Sequence, residues 1–216
     1  MTERPVLFVL AGVNGAGKSS VGGHLLERDG LGWFNPDTFA REVMAAMDCD
    51  QPRANGIAWN EGMRRLDEAI AHGLNHAFET TLGGRSVPAK IARASETHDV
   101  LMWFCGLSSP ELHIGRVKAR VARGGHDIPE AMIRERYPAA LLNLIALMPR
   151  LAHLQVYDNS AEAAGAGEAV PDPILVMEMR AGQLVWPSNL ESLDNTPEWA
   201  KPLLEAAIAS SPIALP

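Results

Sequence analysis

A glycine-rich octapeptide constrains the fold of this 216-residue chain more than any other feature. Residues 12–19 read Gly-Val-Asn-Gly-Ala-Gly-Lys-Ser, which matches the pattern G-x-x-x-x-G-K-[ST] in full. The apolar run Val6–Leu10 precedes it, and a helical pattern follows from Lys18 to about Arg28. In that setting the glycines let backbone N–H groups wrap around a phosphate chain, and the helix N-terminus adds partial positive charge. The octapeptide therefore predicts a nucleoside triphosphate site at the end of a buried strand.

Chemistry assigns roles within this segment. Lys18 would reach the β- and γ-phosphates, and the hydroxyl oxygen of Ser19 would bind Mg²⁺. The predicted nucleotide-binding residues from this part of the chain are Gly12, Asn14, Gly15, Ala16, Gly17, Lys18, Ser19 and Ser20. The pattern predicts that a triphosphate binds, but it does not say what is done with it.

Strand-like and helix-like segments alternate along the rest of the chain. Strands are predicted at 32–35, 75–79, 100–106 and 154–157, and helices at 36–47, 55–71, 84–98, 110–123, 129–150 and 198–209, with a disturbance at Pro138. A terminal hairpin is predicted at 174–185, turning at Ala181-Gly182, after a mobile loop at about 161–172. The alternation indicates an α/β fold with a mostly parallel sheet, in a single domain over residues 1–216.

Charge limits the class of partner. The chain carries 26 acidic and 19 basic residues, for a net charge of −7. This argues against nucleic-acid binding, which needs a basic footprint to displace counterions. Residues 116–136 nevertheless carry a local excess of positive charge, which suits a small anionic ligand. No apolar run is long enough to cross a membrane, and Cys49 and Cys105 are in no paired motif, so we expect no membrane partner, reduced thiols and a cytoplasmic location.

Two acidic side chains are predicted to follow strands. Asp37 could accept the proton of a hydroxyl that attacks the γ-phosphate, or it could cap the next helix. Glu79, followed by Thr80 and Thr81, could order Mg²⁺ through water or hold the acceptor, and a capping role is again the alternative. Asn159, in the segment Asp158-Asn159-Ser160 after a later strand, could contact an adenine ring or form a turn.

An arginine-rich segment indicates a helical lid over about 110–136. Arg116 and Arg120 share one helix face, Arg123 lies one turn further, and Arg134 and Arg136 follow a break at Gly124-Gly125. Such arginines could close over a triphosphate and neutralise charge on the transferred group, while His126 serves as a hinge contact or cap. The alternative is a solvated basic helix face.

These motifs together resemble the short members of the zeta toxin family. The resemblance rests on residues 12–19, Asn35-Pro36-Asp37-Thr38-Phe39, Glu79-Thr80-Thr81-Leu82, the Arg-Gly-Gly-His-Asp-Ile-Pro core of 116–129 and Tyr157-Asp158-Asn159-Ser160, and it covers about residues 5–185. It implies a P-loop kinase-like three-layer α/β/α fold and transfer of phosphate from ATP, with Mg²⁺, to a hydroxyl of UDP-N-acetylglucosamine or a related UDP-sugar.

The resemblance also implies roles for single residues and a possible antitoxin partner. Asp37 resembles the general base, and Lys18 the phosphate-binding lysine. Glu79 and Thr81 resemble acceptor contacts, with Thr80 beside them, and Arg116 and Arg120, with Arg123 or Arg134, resemble the phosphate clamp. The lid sequence Gly-Gly-His departs from the larger toxins, so phosphate transfer carries over better than the identity of the acceptor.

Two rival functions are compatible with the same residues. A non-catalytic ATP-binding module could use closure of the lid as a switch that docks a partner protein. A polynucleotide 5′-kinase would share the phosphate-binding motif, but the acidic charge disfavours it. The sequence leaves the acceptor, the oligomeric state and any toxicity open.

Overall fold

The computed structural model of the chain describes residues 4–18, 22, 33–162 and 170–210. The described strands are β1 (Val6–Ala11), β2 (His76–Thr80), β3 (Asp99–Gly106), β4 (His153–Asp158), β5 (Ile174–Arg180) and β6 (Gln183–Trp186). They form one six-stranded sheet in the order β2-β1-β3-β4-β5-β6. The first four strands pair in parallel, and β5 and β6 add an antiparallel hairpin at one side. The predicted α/β class with a mostly parallel sheet is confirmed.

Helices connect and flank these strands. They are α1 (Pro36–Met47), α2 (Gln51–His72), α3 (Ser86–Ala94), α4 (Pro110–Val121), α5 (Glu130–Leu147), α6 (Leu190–Asp194) and α7 (Lys201–Ser210), with 3-10 turns at Met148–Arg150 and Glu198–Ala200. Each parallel pair is joined through helical crossovers, as parallel strands require. None of the helices in the described part of the chain combines the length and the apolar character that a membrane span needs.

Strand β1 lies inside the sheet and is apolar on both faces. Leu7 and Val9 belong to the main core, whereas Phe8 and Leu10 pack on the opposite face with Trp33 and Trp103. Burial on both faces explains why the strand reads as a continuous apolar run instead of an alternating one. The main core also takes side chains from α5 and α7, among them Ile133, Leu144, Leu203 and Ala207. The glycine-rich segment at 12–18 therefore follows a strand that is packed on both faces.

The start of α1 corrects one sequence prediction. Asn35, not Asp37, is the N-cap, because the side-chain oxygen of Asn35 accepts from the backbone N–H groups of Asp37 and Thr38. Pro36 takes the first helical position, where its missing N–H costs no hydrogen bond, and the cap therefore lies at Asn35, two residues before Asp37. Asp37 lies in the first turn, and its carboxylate is released from the capping role.

Other boundaries differ from the predictions for local reasons. Helix α5 continues through Pro138, which has no N–H to donate to the carbonyl oxygen of Arg134. The strand predicted at 32–35 is, among described residues, a single bridge from Phe34 to Phe78. Helix α2 begins at Gln51, where Asp50 caps it and a proline occupies its first turn. The helix predicted after Lys18 and the mobile loop predicted at 161–172 fall largely outside the described residues.

Candidate active site

Residues 12–18, called here the phosphate loop, have a backbone that only glycine adopts readily at three positions. Gly12, Gly15 and Gly17 have φ values of 142°, 85° and 84°. Space imposes the same restriction, because a Cβ on Gly12 would lie 2.3 Å from the carbonyl oxygen of Cys105 and a Cβ on Gly15 2.7 Å from that of His113. The loop thus follows a tightly packed path, and any side chain at these glycines would displace it.

Three side chains from distant elements hold the phosphate loop. His113 of α4 donates from Nδ1 to the carbonyl oxygen of Asn14 at 2.9 Å, and Arg136 of α5 donates to the Asn14 side-chain oxygen at 2.8 Å. Asn159, just after β4, donates from Nδ2 to the carbonyl oxygen of Ala16 at 2.8 Å. His113 and Asn159 are both buried. The conformation of the loop is therefore supported by hydrogen bonds within the protein.

Asn159 and its neighbours make contacts within the protein. The side-chain oxygen of Asp158 accepts from the indole N–H of Trp199 at 3.1 Å and from the backbone N–H of Ser160 at 3.2 Å. Ser160 accepts in turn from the backbone N–H of Ser108 at 2.8 Å. The segment therefore ties the end of β4 to the phosphate loop and to the 3-10 turn at Glu198–Ala200.

A buried ion pair lies where β1 and β2 end. Lys18 Nζ is 3.2 Å from Glu79 Oε1, and the side chains are only 6% and 11% exposed. The other carboxylate oxygen of Glu79 accepts from Asn35 Nδ2 at 2.9 Å. Asn35 thus uses its oxygen to cap α1 and its amide to orient Glu79. This arrangement places the start of α1, the end of β2 and Lys18 side by side.

Asp37 and Arg120 approach each other beside this pair. Arg120 Nη1 lies 3.9 Å from Asp37 Oδ2, and Nη2 donates to the carbonyl oxygen of His126 at 2.7 Å. Among the residues that the structure describes, no group accepts from the buried Nε of Arg120. Gly125 makes room for this side chain, because a Cβ there would lie 2.5 Å from Arg120 Cγ. Gly124, at φ 85°, and Gly125 follow α4, and their N–H groups donate to the carbonyl oxygens of Val121 and Arg120.

The remaining arginines of the predicted lid differ in their contacts. Arg116 donates to the carbonyl oxygen of Ala161 at 2.9 Å. Arg134 forms an exposed ion pair with Glu111 at 2.6 Å, and Arg123 is exposed. Of the five arginines in the segment, Arg120 approaches Asp37, and Arg136, which lies outside the predicted site residues, contacts the phosphate loop.

The turn over residues 80–84 follows β2 closely. The carbonyl oxygen of Thr80 accepts from the backbone N–H of Gly12 at 3.1 Å, so this turn and the phosphate loop share a hydrogen bond. The hydroxyl oxygens of Thr80 and Thr81 accept from the N–H groups of Leu82 and Gly83 at 3.1 and 3.4 Å. Leu82 is buried with φ at 57°, a left-handed conformation unusual for leucine.

Several of these residues were not predicted from sequence. Asn35 was detectable in principle, because asparagine immediately before a proline is a strong helix-start signal. His113 and Arg136 touch Asn14 from far along the chain, and no local pattern marks such contacts. Ser19 and Ser20, predicted to bind metal and nucleotide, lie outside the described residues.

Because His113 is buried and bonded to the phosphate loop, the stability of the protein depends on pH in the acid range. Desolvation lowers the pKa of His113 to about 4, with smaller lowering effects from Lys18 and Arg116, although its bond to Asn14 acts in the opposite direction. The folded pKa lies below the ordinary value of 6.5. The neutral imidazole therefore contributes stability in full above pH 6.5, and this contribution is lost as the pH falls toward 4.

We expect the free energy of unfolding to fall by about 3 kcal/mol between pH 7 and 4 on account of His113 alone. Urea denaturation across that range measures it. The matched variant is His113→Asn, which keeps a donor near Nδ1 but does not titrate, so its curve should be flatter by that amount. Parallel curves for the two proteins would contradict the assignment.

The sheet order and the phosphate loop that ends in Lys18 define the class: a protein with the fold of P-loop kinases. Comparison with known proteins agrees with this fold and identifies a family within it. The family model described as Zeta toxin matches residues 1–165. The chain belongs to the zeta toxin family, which confirms the resemblance inferred from its motifs.

Three relatives illustrate the range of similarity. An uncharacterized protein of Haemophilus influenzae is 29% identical over 133 residues, covering 58% of this chain and 88% of its own length. A chain of the AvrRxo1-ORF1:-ORF2 complex, crystallised with ATP, is similar in fold at a TM-score of 0.66 and 15% identity, covering 98% of this chain and 65% of its own. A chain of the PezAT toxin–antitoxin system of Streptococcus pneumoniae is similar at a TM-score of 0.53 and 12% identity, covering 80% and 72%. The chain thus spans just under two thirds of the AvrRxo1 complex chain.

Proposed function

We propose that this chain is a kinase that transfers the γ-phosphate of ATP, with Mg²⁺, to a hydroxyl group of a small molecule. The observation that carries the proposal is the position of Asp37. The Asp37 carboxylate does not cap α1 and lies beside Arg120. Asp37 belongs to the first turn of α1, and the cap residue of that helix, Asn35, also holds Glu79 against Lys18. Membership of the zeta toxin family and the fold of P-loop kinases support phosphate transfer as the chemistry.

In the proposed reaction the acceptor oxygen forms a bond to the γ-phosphorus of ATP. The bond from that phosphorus to the bridging oxygen breaks, and ADP leaves with the electron pair. Asp37, which is 44% exposed, receives the hydroxyl proton. Lys18 and Arg120 bind the phosphate oxygens and neutralise the charge that spreads over them. Arg116, on the same face of α4 as Arg120, is the second proposed cation, and its bond to Ala161 would then open.

The residues at hand fit Mg²⁺ held chiefly by the nucleotide. In the described part of the chain no group of three histidine, cysteine or acidic side chains could hold a metal. Mg²⁺ keeps several waters and usually takes one or two protein oxygens together with substrate phosphates. The Ser19 hydroxyl and the Glu79 carboxylate are the proposed oxygens, Glu79 acting through water. When bound, the ion would neutralise the β- and γ-phosphate oxygens.

A UDP-sugar such as UDP-N-acetylglucosamine is the proposed acceptor. The support is the family, together with Glu79, Thr80 and Thr81 at the end of β2. The two threonine hydroxyls accept hydrogen bonds from the turn, which leaves their O–H groups to donate to a sugar or phosphate oxygen. An antitoxin-like partner is proposed by analogy with the AvrRxo1-ORF1:ORF2 and PezAT complexes.

A phosphate-transfer screen tests the function. Purified protein would be incubated with γ-labelled ATP, Mg²⁺ and a panel of UDP-sugars, nucleosides and free sugars, with Lys18→Ala as the control. We expect label on a UDP-sugar with the wild-type protein and none with the variant. ATP binding without a labelled product, both on the panel and in a cell extract, would overturn the kinase and favour the non-catalytic switch.

A further inference from the structure

Helix α5 contacts both sides of the candidate site, through Arg136 and Asn143. Asn143 Nδ2 donates to the carbonyl oxygen of Leu82 at 2.7 Å and to that of Gly84 at 2.9 Å. These two carbonyls lie on either side of Gly83 in the 80–84 turn. Only the amide nitrogen can donate to two carbonyls, so the chemistry fixes the orientation of this side chain.

The turn needs such support because its backbone is strained. Leu82 has φ at 57°, which costs a residue other than glycine on the order of 1 kcal/mol or more. The side chain of Leu82 is fully buried, so the turn cannot relax by flipping outward. Asn143 satisfies the carbonyls that this conformation presents to α5. A strained turn held by a side chain from another element is typical of functional sites.

Close packing adds to the hydrogen bonds. A Cβ on Gly83 would lie 2.6 Å from Arg136 Cγ and 3.0 Å from Arg136 Cα, so the turn lies directly against the helix. The guanidinium of the same Arg136 donates to Asn14 in the phosphate loop. One helix face therefore contacts the phosphate loop through Arg136 and the 80–84 turn through Asn143.

We propose that Asn143 is a positioning residue for the acceptor. It holds the 80–84 turn in the conformation in which Glu79, Thr80 and Thr81 meet the acceptor hydroxyl. In the described part of the chain, the amide of Asn143 donates to the 80–84 turn and not to the phosphate loop, so its effect should fall on the acceptor and spare ATP. This inference rests on the proposed function, and it adds a residue that belongs to none of the motifs of the phosphate loop, the lid or the strand ends.

The test substitutes Asn143→Asp, which keeps the shape, removes both donors and sets a carboxylate against two carbonyl oxygens. Leu142→Asp adds the same charge at the neighbouring position, where the side chain is 66% exposed. With UDP-N-acetylglucosamine as probe, we expect Asn143→Asp to raise the KM for the sugar about tenfold and to change the KM for ATP less than about twofold. Leu142→Asp should leave both values unchanged. Equal effects on both KM values, or none, would overturn the proposal.

A second measurement keeps the inference separable from the proposed function. Amide hydrogen exchange of residues 82–84 should be faster in Asn143→Asp than in the wild type, at unchanged exchange of the phosphate loop. If the wild-type protein labels no acceptor, the proposed function fails, and exchange alone then decides the role of Asn143. Unchanged exchange at 82–84 would overturn the proposal in either case.

Discussion

Replacing Lys18 by methionine is expected to abolish phosphate transfer and also to lower the free energy of unfolding by about 3 kcal/mol. The first effect follows because the variant loses the cation that we propose binds the phosphates. The second follows because the carboxylate of Glu79, 11% exposed, would lose the ammonium group that it pairs with. Breaking one side of a buried ion pair costs more than the pair contributes, since attraction to that partner no longer offsets the desolvation of the remaining group. Transfer assays and urea denaturation measure the two effects.

The double variant Lys18→Met/Glu79→Gln separates these effects. Glutamine keeps an oxygen for the Asn35 amide and carries no charge, so stability should return to within about 1 kcal/mol of the wild type. Transfer should stay absent. A Lys18→Met protein as stable as the wild type would show that the pair does not hold the ends of β1 and β2 together. Recovery of transfer in the double variant would exclude Lys18 from the chemistry.

Asp37→Asn is expected to lower the rate of phosphate transfer by roughly 10²–10⁴-fold while ATP affinity changes little. Asparagine preserves the size of the side chain but cannot take a proton from the acceptor. The variant should fold as stably as the wild type, because the Asp37–Arg120 contact is 3.9 Å long and 44% and 39% exposed on its two sides. Single-turnover kinetics with a saturating acceptor, together with titration of ATP, measure the two quantities.

The matched control for this variant is a substitution at Asp48, the C-cap of the same helix. Asp48 ends α1 with φ at 46°, a conformation that asparagine adopts as readily as aspartate. Asp48→Asn therefore makes the same chemical change at the far end of α1, and transfer should persist at the wild-type rate. An Asp37→Asn protein with wild-type turnover would reduce Asp37 to a first-turn acid that interacts with the helix dipole.

Sequence patterns predicted the elements that depend on local rules. A continuous apolar run gave β1, the octapeptide gave the phosphate loop, and Ala181-Gly182 gave the turn of the β5–β6 hairpin, where Ala181 and Gly182 both have positive φ. The spacing of apolar residues and the residue preferences of turns act over a few positions, so both can be recognised in a single sequence. The same reasoning misplaced the α1 cap, because asparagine and aspartate compete for that role and the proline between them decides.

The candidate site depends on contacts that no local rule encodes. Arg134 and Arg136 are equally basic and two residues apart, yet one pairs with exposed Glu111 and the other with Asn14, 122 positions away. Helix geometry directs neighbouring side chains to different faces, and only the packing of α5 says which face meets the phosphate loop. Asn143 was missed for the same reason. The cationic segment was therefore visible in the sequence, but the assignment of single arginines was not.

The β5–β6 hairpin determines whether residues 1–165 can fold without the rest of the chain. The family model ends at residue 165, before β5 begins. A protein cut at that boundary would expose β4 as an unprotected edge and lose buried Met177, Met179 and Leu203 from the core. Unpaired edges with uncovered apolar surface recruit other chains into intermolecular sheets. The residues proposed for the site thus all lie within residues 1–165, but this part of the chain depends on the later segment for its packing, and truncation should yield aggregates instead of a folded fragment.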